Sequence, residues 1–256
     1  MEMERYEHGV PSWVDLSTPD PEAAAAFYQG LFGWDTEDLG PDAGNYRLAT
    51  LRGKQVAGIG PAQNPDQPPF WTSYVNVDDA DAIPARVAAA GGTTFLEPFD
   101  VMDAGRMGVF ADPRGAVFAV WQAKASIGAQ LVNEIGTFSW SELVTSDPEG
   151  SKAFYGDVFG WGEETHGEGP GAYTEWKVAG RSVGGMMPRP PGMPEQAPDF
   201  WAVYFTVSDG AETVARVAEL GGGLMMGPME VEPGTIAVVT DPQGAAFNVI
   251  QLKDAG

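Results

Sequence analysis

The chain has 256 residues, 43% hydrophobic and 11% aromatic, a globular composition long enough for two cores and too apolar for intrinsic disorder. Its 36 acidic residues against 14 basic ones give a net charge of −22, which repels nucleic-acid phosphates and anionic lipid but can attract cationic ligands. Zero cysteines exclude disulfides, thiolate metal sites and a cysteine nucleophile, and no apolar run approaches the roughly 20 residues that span a bilayer.

In chain order, residues 10–17 alternate as a strand carrying Trp13, Val14 and Leu16. Asp20 then caps a helix: its carboxylate can accept an unpaired backbone N–H, Pro21 suits the first helical position, and Glu22 favours the positive end of the dipole. Ala24, Phe27 and Leu31 recur at helical spacing until Gly33 stops the run. Short strands are expected near 34–39, 46–51 and 55–60. A Pro-rich stretch, 61–69, reads as a connection between units, with a lid over a cavity as the alternative. A strand over 70–77, a helix over 80–90 ending at Gly91-Gly92, and strands near 94–96, 106–111 and 116–122 complete the first half.

The plan is then repeated. Asp20-Pro21-Glu22 with Ala26-Phe27-Tyr28 and Phe32-Gly33-Trp34 returns as Asp147-Pro148-Glu149 with Ala153-Phe154-Tyr155 and Phe159-Gly160-Trp161, a shift of 127 residues. The same shift pairs Trp13 with Trp140, Tyr46 with Tyr173 and Gly58 with Gly185. It drifts slightly further on, where Asp112-Pro113 with Gly115 answers Asp241-Pro242 with Gly244. A period this long marks a duplicated domain, since solenoid units run roughly 20–50 residues. The boundaries are 1–123 for copy one, 124–136 for a linker and 137–256 for copy two, with a second Pro-rich loop at 188–198. Acidity is shared: 8 basic and 18 acidic residues in 1–128, 6 and 18 in 129–256. The result is an α+β fold of four βαβββ units, two per copy, whose curved sheets wrap cavities.

The helix ending Ala-Phe-Tyr…Phe-Gly-Trp, the Gly-Gly after the second helix and the Asp-Pro-x-Gly before the last strand resemble the glyoxalase/bleomycin resistance/extradiol dioxygenase (vicinal oxygen chelate) superfamily. The tandem arrangement, with its linker at 127–134, is similar to two-domain actinobacterial members often called hydroxylases. The resemblance implies two glyoxalase-like domains. It also implies a divalent metal in catalytic members, held by His, Glu or Gln from the first and fourth strands of each unit. Counted from the shared motifs, those positions fall on Trp13, Gly58, Thr72 and Ala119 in copy one, and on Trp140, Gly185, Ala202 and Asn248 in copy two. None is His, Glu or Gln, so no metal and no cofactor are expected. The two histidines, His8 and His166, are expected on the solvated surface.

Strand parity sends Asp15 to the same side as Trp13, and Glu142 to the same side as Trp140. Thr72, Tyr74 and Asn76, with Trp121, join them in copy one; Tyr204, Thr206 and Asn248 do so in copy two. Gly58, Gly60 and Gly185 are expected to leave room. Met186, Met187, Met225 and Met226 read as core, the alternative being an adaptable pocket lining. Aromatic walls with few polar groups suit a flat, bulky organic ligand, hydrophobic or cationic. The expected ligand-binding residues are therefore Trp13, Asp15, Gly58, Thr72, Tyr74, Trp121, Trp140, Glu142, Gly185, Tyr204 and Asn248.

The expected function is metal-free binding of such a molecule, for drug sequestration or as an accessory in secondary metabolism. The alternative is a cofactor-free tailoring enzyme (a hydroxylase-associated factor, isomerase or lyase) with Asp15 or Glu142 as base. Tryptophans that merely plug the cavities, and acids that bond local structure, are the bland explanations of the same residues. Residues 1–9 are polar rather than signal-like, so a cytoplasmic monomer or homodimer is expected, without nucleic-acid or membrane partners.

Overall fold

The computed structural model describes residues 1–64, 66–194 and 196–253; each Pro-rich stretch contains one residue outside that set. Copy one runs β1 (Pro11–Thr18), α1 (Pro21–Phe32), β2 (Asp35–Asp38), β3 (Arg47–Leu51), β4 (Lys54–Pro61), β5 (Phe70–Asn76), α2 (Ile83–Ala89), β6 (Thr93–Val101), β7 (Gly105–Ala111) and β8 (Val117–Ala123). Copy two runs β9 (Phe138–Thr145), α3 (Pro148–Phe159), β10 (Gly162–His166), β11 (Tyr173–Val178), β12 (Arg181–Pro188), β13 (Phe200–Thr206), α4 (Gly210–Glu219), β14 (Gly223–Val231), β15 (Gly234–Thr240) and β16 (Ala246–Leu252).

The helix signals act as the sequence implies. Asp20 accepts the N–H of Ala23 and Asp147 that of Gly150, both at 3.0 Å, and Gly33 and Gly160 close α1 and α3 in the left-handed region. In both second units the edge strand is longer than its sequence pattern implies. Bulges between Leu96 and Phe99, and between Met226 and Met229, break the alternation by which a strand is recognised.

Each copy forms one eight-stranded sheet, in the order β2-β3-β4-β1-β5-β8-β7-β6 and β10-β11-β12-β9-β13-β16-β15-β14. Within each unit the first and last strands run parallel, and the two units meet at an antiparallel seam, β1 with β5 and β9 with β13. The sheets thus pair within a copy.

The cores do not. Helix α1 of copy one packs against the second unit of copy two: Phe27 and Tyr28 lie 6.3 and 5.6 Å from the ring of Phe247, and Phe32 lies 5.1 Å from Phe205. Reciprocally, Phe154, Tyr155 and Phe159 of α3 surround Phe118 of copy one at 5.5–6.1 Å. The Asp-Pro-x-Gly turns tie the exchange. Asp241 accepts two backbone N–H groups of its own turn through Oδ1 and the hydroxyl of Tyr28 through Oδ2 at 3.3 Å. Asp112 does the same for Tyr155 at 3.1 Å. Phe27, Tyr28, Phe154 and Tyr155 are therefore structural, and each buried core is built from both copies.

Met186 is buried, as expected of a core residue, whereas Met225 and Met226 are 64% and 48% exposed. The expectation that they are core fails: both lie on β14, the outermost strand of its sheet, and their side chains face solvent. Among the described residues no helix is long and apolar enough to cross a membrane.

Candidate functional site

The seam strands bring the predicted residues together. In copy one Asp15 lies opposite Gly58 on β4 and Thr72 on β5, and Trp13 lies opposite Tyr74, which neighbours Ala119 on β8. In copy two Glu142 lies opposite Gly185 and Ala202, and Trp140 opposite Tyr204, which neighbours Asn248. Cross-strand partners share a face, so these residues converge on the face of each sheet turned away from α1 and α3.

A hydrogen-bonded chain runs through each site. The indole N–H of Trp13 donates to the hydroxyl of Tyr46 at 3.0 Å; Tyr46 and Tyr74 both donate to Oδ2 of Asp15, at 3.3 and 2.8 Å. In copy two Trp140 donates to Tyr173 at 2.9 Å and Tyr204 donates to Glu142 at 2.7 Å, with Tyr173 as a second hydrogen-bonding neighbour of the acid. Burial pushes the Asp15 carboxyl up to about 6, against the opposing effect of hydrogen bonds from Tyr74, Tyr46 and Thr72. Burial raises Glu142 as well, opposed by Tyr204 and Tyr173.

Tyr46 and Tyr173 are the residues the strand-parity reading missed. Their pairing at the 127-residue shift was the available signal, and each stands over a glycine. A Cβ on Gly58 would lie 1.7 Å from the Tyr46 hydroxyl, and one on Gly185 would lie 2.0 Å from that of Tyr173. The expectation that these glycines leave room for a ligand is corrected: the space holds the tyrosine rings. A Cβ on Gly60 would likewise lie 3.1 Å from the Tyr46 ring.

Other predicted residues are partly committed elsewhere. Trp121 donates to the carbonyl of Ser126 at 3.0 Å and covers Gly105, so the linker holds it. Asn76 donates to the carbonyls of Tyr6 and Glu7 and anchors the N-terminal segment. Thr72 and Asn248 are nearly buried, as is Thr206, whose hydroxyl has no partner among the described residues. Of the predicted ligand-binding residues, Trp140 alone borders a cavity of ≈ 360 Å³ formed with the N-terminal segment.

The positions assigned to metal ligands do not fit a divalent ion. Trp13, Gly58, Thr72 and Ala119, like Trp140, Gly185, Ala202 and Asn248, supply no imidazole and no carboxylate. Asp15 and Glu142 add one oxygen donor group per site, already engaged by phenols. Elsewhere, Glu164, His166 and Glu175 on β10 and β11 bring ligand atoms within 4.8 Å of one another, but the ammonium of Lys177 sits 2.8 Å from Glu164 and 2.6 Å from Glu175. His166 is exposed as expected. His8 is only half-buried surface, its Nδ1 accepting the N–H of Asp78 at 3.2 Å.

A sequence profile described as Glyoxalase/Bleomycin resistance protein/Dioxygenase superfamily matches residues 11–120 and 135–249. The chain is 42% identical over 254 residues to CFP32 of Mycobacterium tuberculosis (strain CDC 1551 / Oshkosh), named as a candidate glyoxylase, with 96% of each chain covered. It is 38% identical over 268 residues to the anthracycline biosynthesis protein DauV of Streptomyces sp. (strain C5), covering 99% of this chain and 97% of that one. Among solved structures, homoprotocatechuate 2,3-dioxygenase from Arthrobacter globiformis superimposes with a TM-score of 0.66 at 14% identity, over 98% of this chain and 83% of its own. At that identity the likeness is one of fold.

Proposed function

Because the chain belongs to the glyoxalase/bleomycin resistance protein/dioxygenase superfamily, we propose that it binds a bulky, largely apolar aromatic small molecule without a metal, as an accessory in secondary metabolism. The observation that carries this reading is the repeated Trp–Tyr–carboxylate–Tyr chain, Trp13–Tyr46–Asp15–Tyr74 and Trp140–Tyr173–Glu142–Tyr204. Indole and phenol rings offer flat apolar surface, and a single held carboxylate offers one anchor for an ammonium or a hydroxyl. The name of DauV supports the ligand class, since an anthracycline is a flat polycyclic aromatic compound bearing an amino sugar. Sequestration of a drug would use the same contacts.

A second reading is favoured by one feature, the Asp15 carboxyl at about 6. A carboxylate tuned toward neutrality serves as a general base, which would make the protein a cofactor-free tailoring enzyme. Both phenols engage Oδ2, and Thr72 is the remaining hydrogen-bonding neighbour of this carboxyl.

Titration with doxorubicin and with a neutral anthraquinone, followed by tryptophan fluorescence, tests binding. Asp15→Asn and Glu142→Gln should weaken the amine by roughly tenfold to a hundredfold and the neutral compound far less. An acid that served as a base would instead lose turnover with little change in affinity. Affinity unaltered in both variants, with no reaction found, would make these acids structural and sink both readings.

A further inference from the structure

A cavity of ≈ 360 Å³ lies between the N-terminal segment and the first residues of β9 and β12, and its size suits a small organic ligand. Phe138, Trp140 and Val183 give it apolar walls, and Tyr6 and Glu7 also line it. The polar atoms of the two amphipathic rings are already satisfied: Trp140 donates to Tyr173 at 2.9 Å and Tyr6 to the carbonyl of Ala129 at 2.7 Å. Toward the cavity these rings therefore offer carbon surface.

Arg5 stands at its edge. Of the fourteen Lys and Arg side chains, it alone has no hydrogen-bonding or ionic partner among the described residues. Ten of the other thirteen are paired with a carboxylate. The other arginine at the cavity, Arg181, is held by Glu7 at 2.6 Å. One unspent guanidinium beside an apolar wall fits a planar acid, because its fork matches a carboxylate while the ring body covers carbon surface.

The site occurs once per chain. In copy one the equivalent space beside Trp13 is filled by the linker: Ala129 donates to the carbonyl of Ser12 at 2.8 Å, and Gly128 lies so close that a Cβ would meet that oxygen at 2.4 Å. Ala129 and Leu131 are buried there.

We propose that this cavity binds one aromatic carboxylate per chain, with Arg5 pairing the carboxylate and Trp140 forming the wall behind the ring. The cavity shares Trp140 with the Trp140–Tyr173–Glu142–Tyr204 chain, but neither Asp15 nor Glu142 lines it. The surrounding acidity selects against acids that lack the ring, since long-range attraction is absent and only close contact holds the ligand.

Calorimetric titration with 2-naphthoate, and with 2-naphthylmethanol as its neutral isostere, tests this. Binding of 2-naphthoate at one equivalent is expected. Arg5→Gln should weaken it roughly tenfold or more and leave 2-naphthylmethanol unchanged. Val183→Trp, which fills the cavity, should exclude both. Arg5 is exposed, so its variant is expected to keep the fold, which near-ultraviolet circular dichroism checks. Absence of 2-naphthoate binding at about millimolar concentration, or affinity in Arg5→Gln within about twofold of the parent, overturns the proposal. Binding of 2-naphthoate that survives Val183→Trp would place the ligand elsewhere and overturn it as well.

Discussion

A Cβ on Gly58 would lie 1.7 Å from the hydroxyl oxygen of Tyr46, so the glycine is what lets that phenol reach Asp15 and Trp13. Gly58→Ala should push Tyr46 out and cost about 1–3 kcal/mol, the range for overpacking a filled site. Pairing it with Tyr46→Leu should recover part of the loss, because the two positions share one volume. Urea denaturation of both single variants and the double variant measures this. Strict additivity would mean that the tyrosine is not the obstacle.

The Asp15 carboxyl, raised to about 6 in the folded protein against its ordinary value near 4, makes stability depend on pH in a defined direction. The folded state binds this proton more tightly than the unfolded state does. The contribution is therefore fully present below about pH 4 and is lost as pH rises through about 6. Asp15→Asn should be more stable than the parent at pH 8, by about 1–3 kcal/mol, and should show a smaller fall in stability between pH 4 and pH 8. An Asn variant less stable than the parent at pH 8 would contradict this sign.

Neither copy should fold by itself. Expressed alone, residues 1–123 would expose the face of α1 that covers Phe205 and Phe247, and would leave Tyr28 without Asp241. The fragment should lack native near-ultraviolet circular dichroism, whereas the whole chain should unfold in one transition. Two separate transitions in the whole chain, or a cooperatively folded fragment, would show that the shared cores are dispensable.

Protein purified without a chelation step should contain no stoichiometric transition metal, because the eight positions that would ligate one carry no imidazole or carboxylate. Elemental analysis decides this. Zinc, nickel, iron or manganese near one equivalent per sheet would require a different set of ligands.

How much was legible depends on the range of each signal. Strand alternation is a property of neighbouring residues, so it put Trp13 with Asp15 and Trp140 with Glu142 on one face without knowledge of the sheet. It could not identify Tyr46 and Tyr173 as partners of those acids, because which strand lies beside β4 or β12 is a matter of pairing across the sheet. Glycines opposite them read as empty space when their neighbours are unknown. The same limit hid the exposure of Met225 and Met226, since local sequence carries no record of which strand ends a sheet.

By itself the sequence determined the duplication, the order of strands and helices and the α+β class, because caps, glycine stops and apolar periods act over a few residues. Only the tertiary structure decided that sheets pair within a copy while helices pack between copies. That exchange depends on which apolar face meets which, as Tyr28 meets Asp241 and Phe247 across more than 200 residues of chain. It also decided that the two copies differ: the linker fills the space beside Trp13, and the N-terminal segment leaves the space beside Trp140 open with Arg5 at its edge.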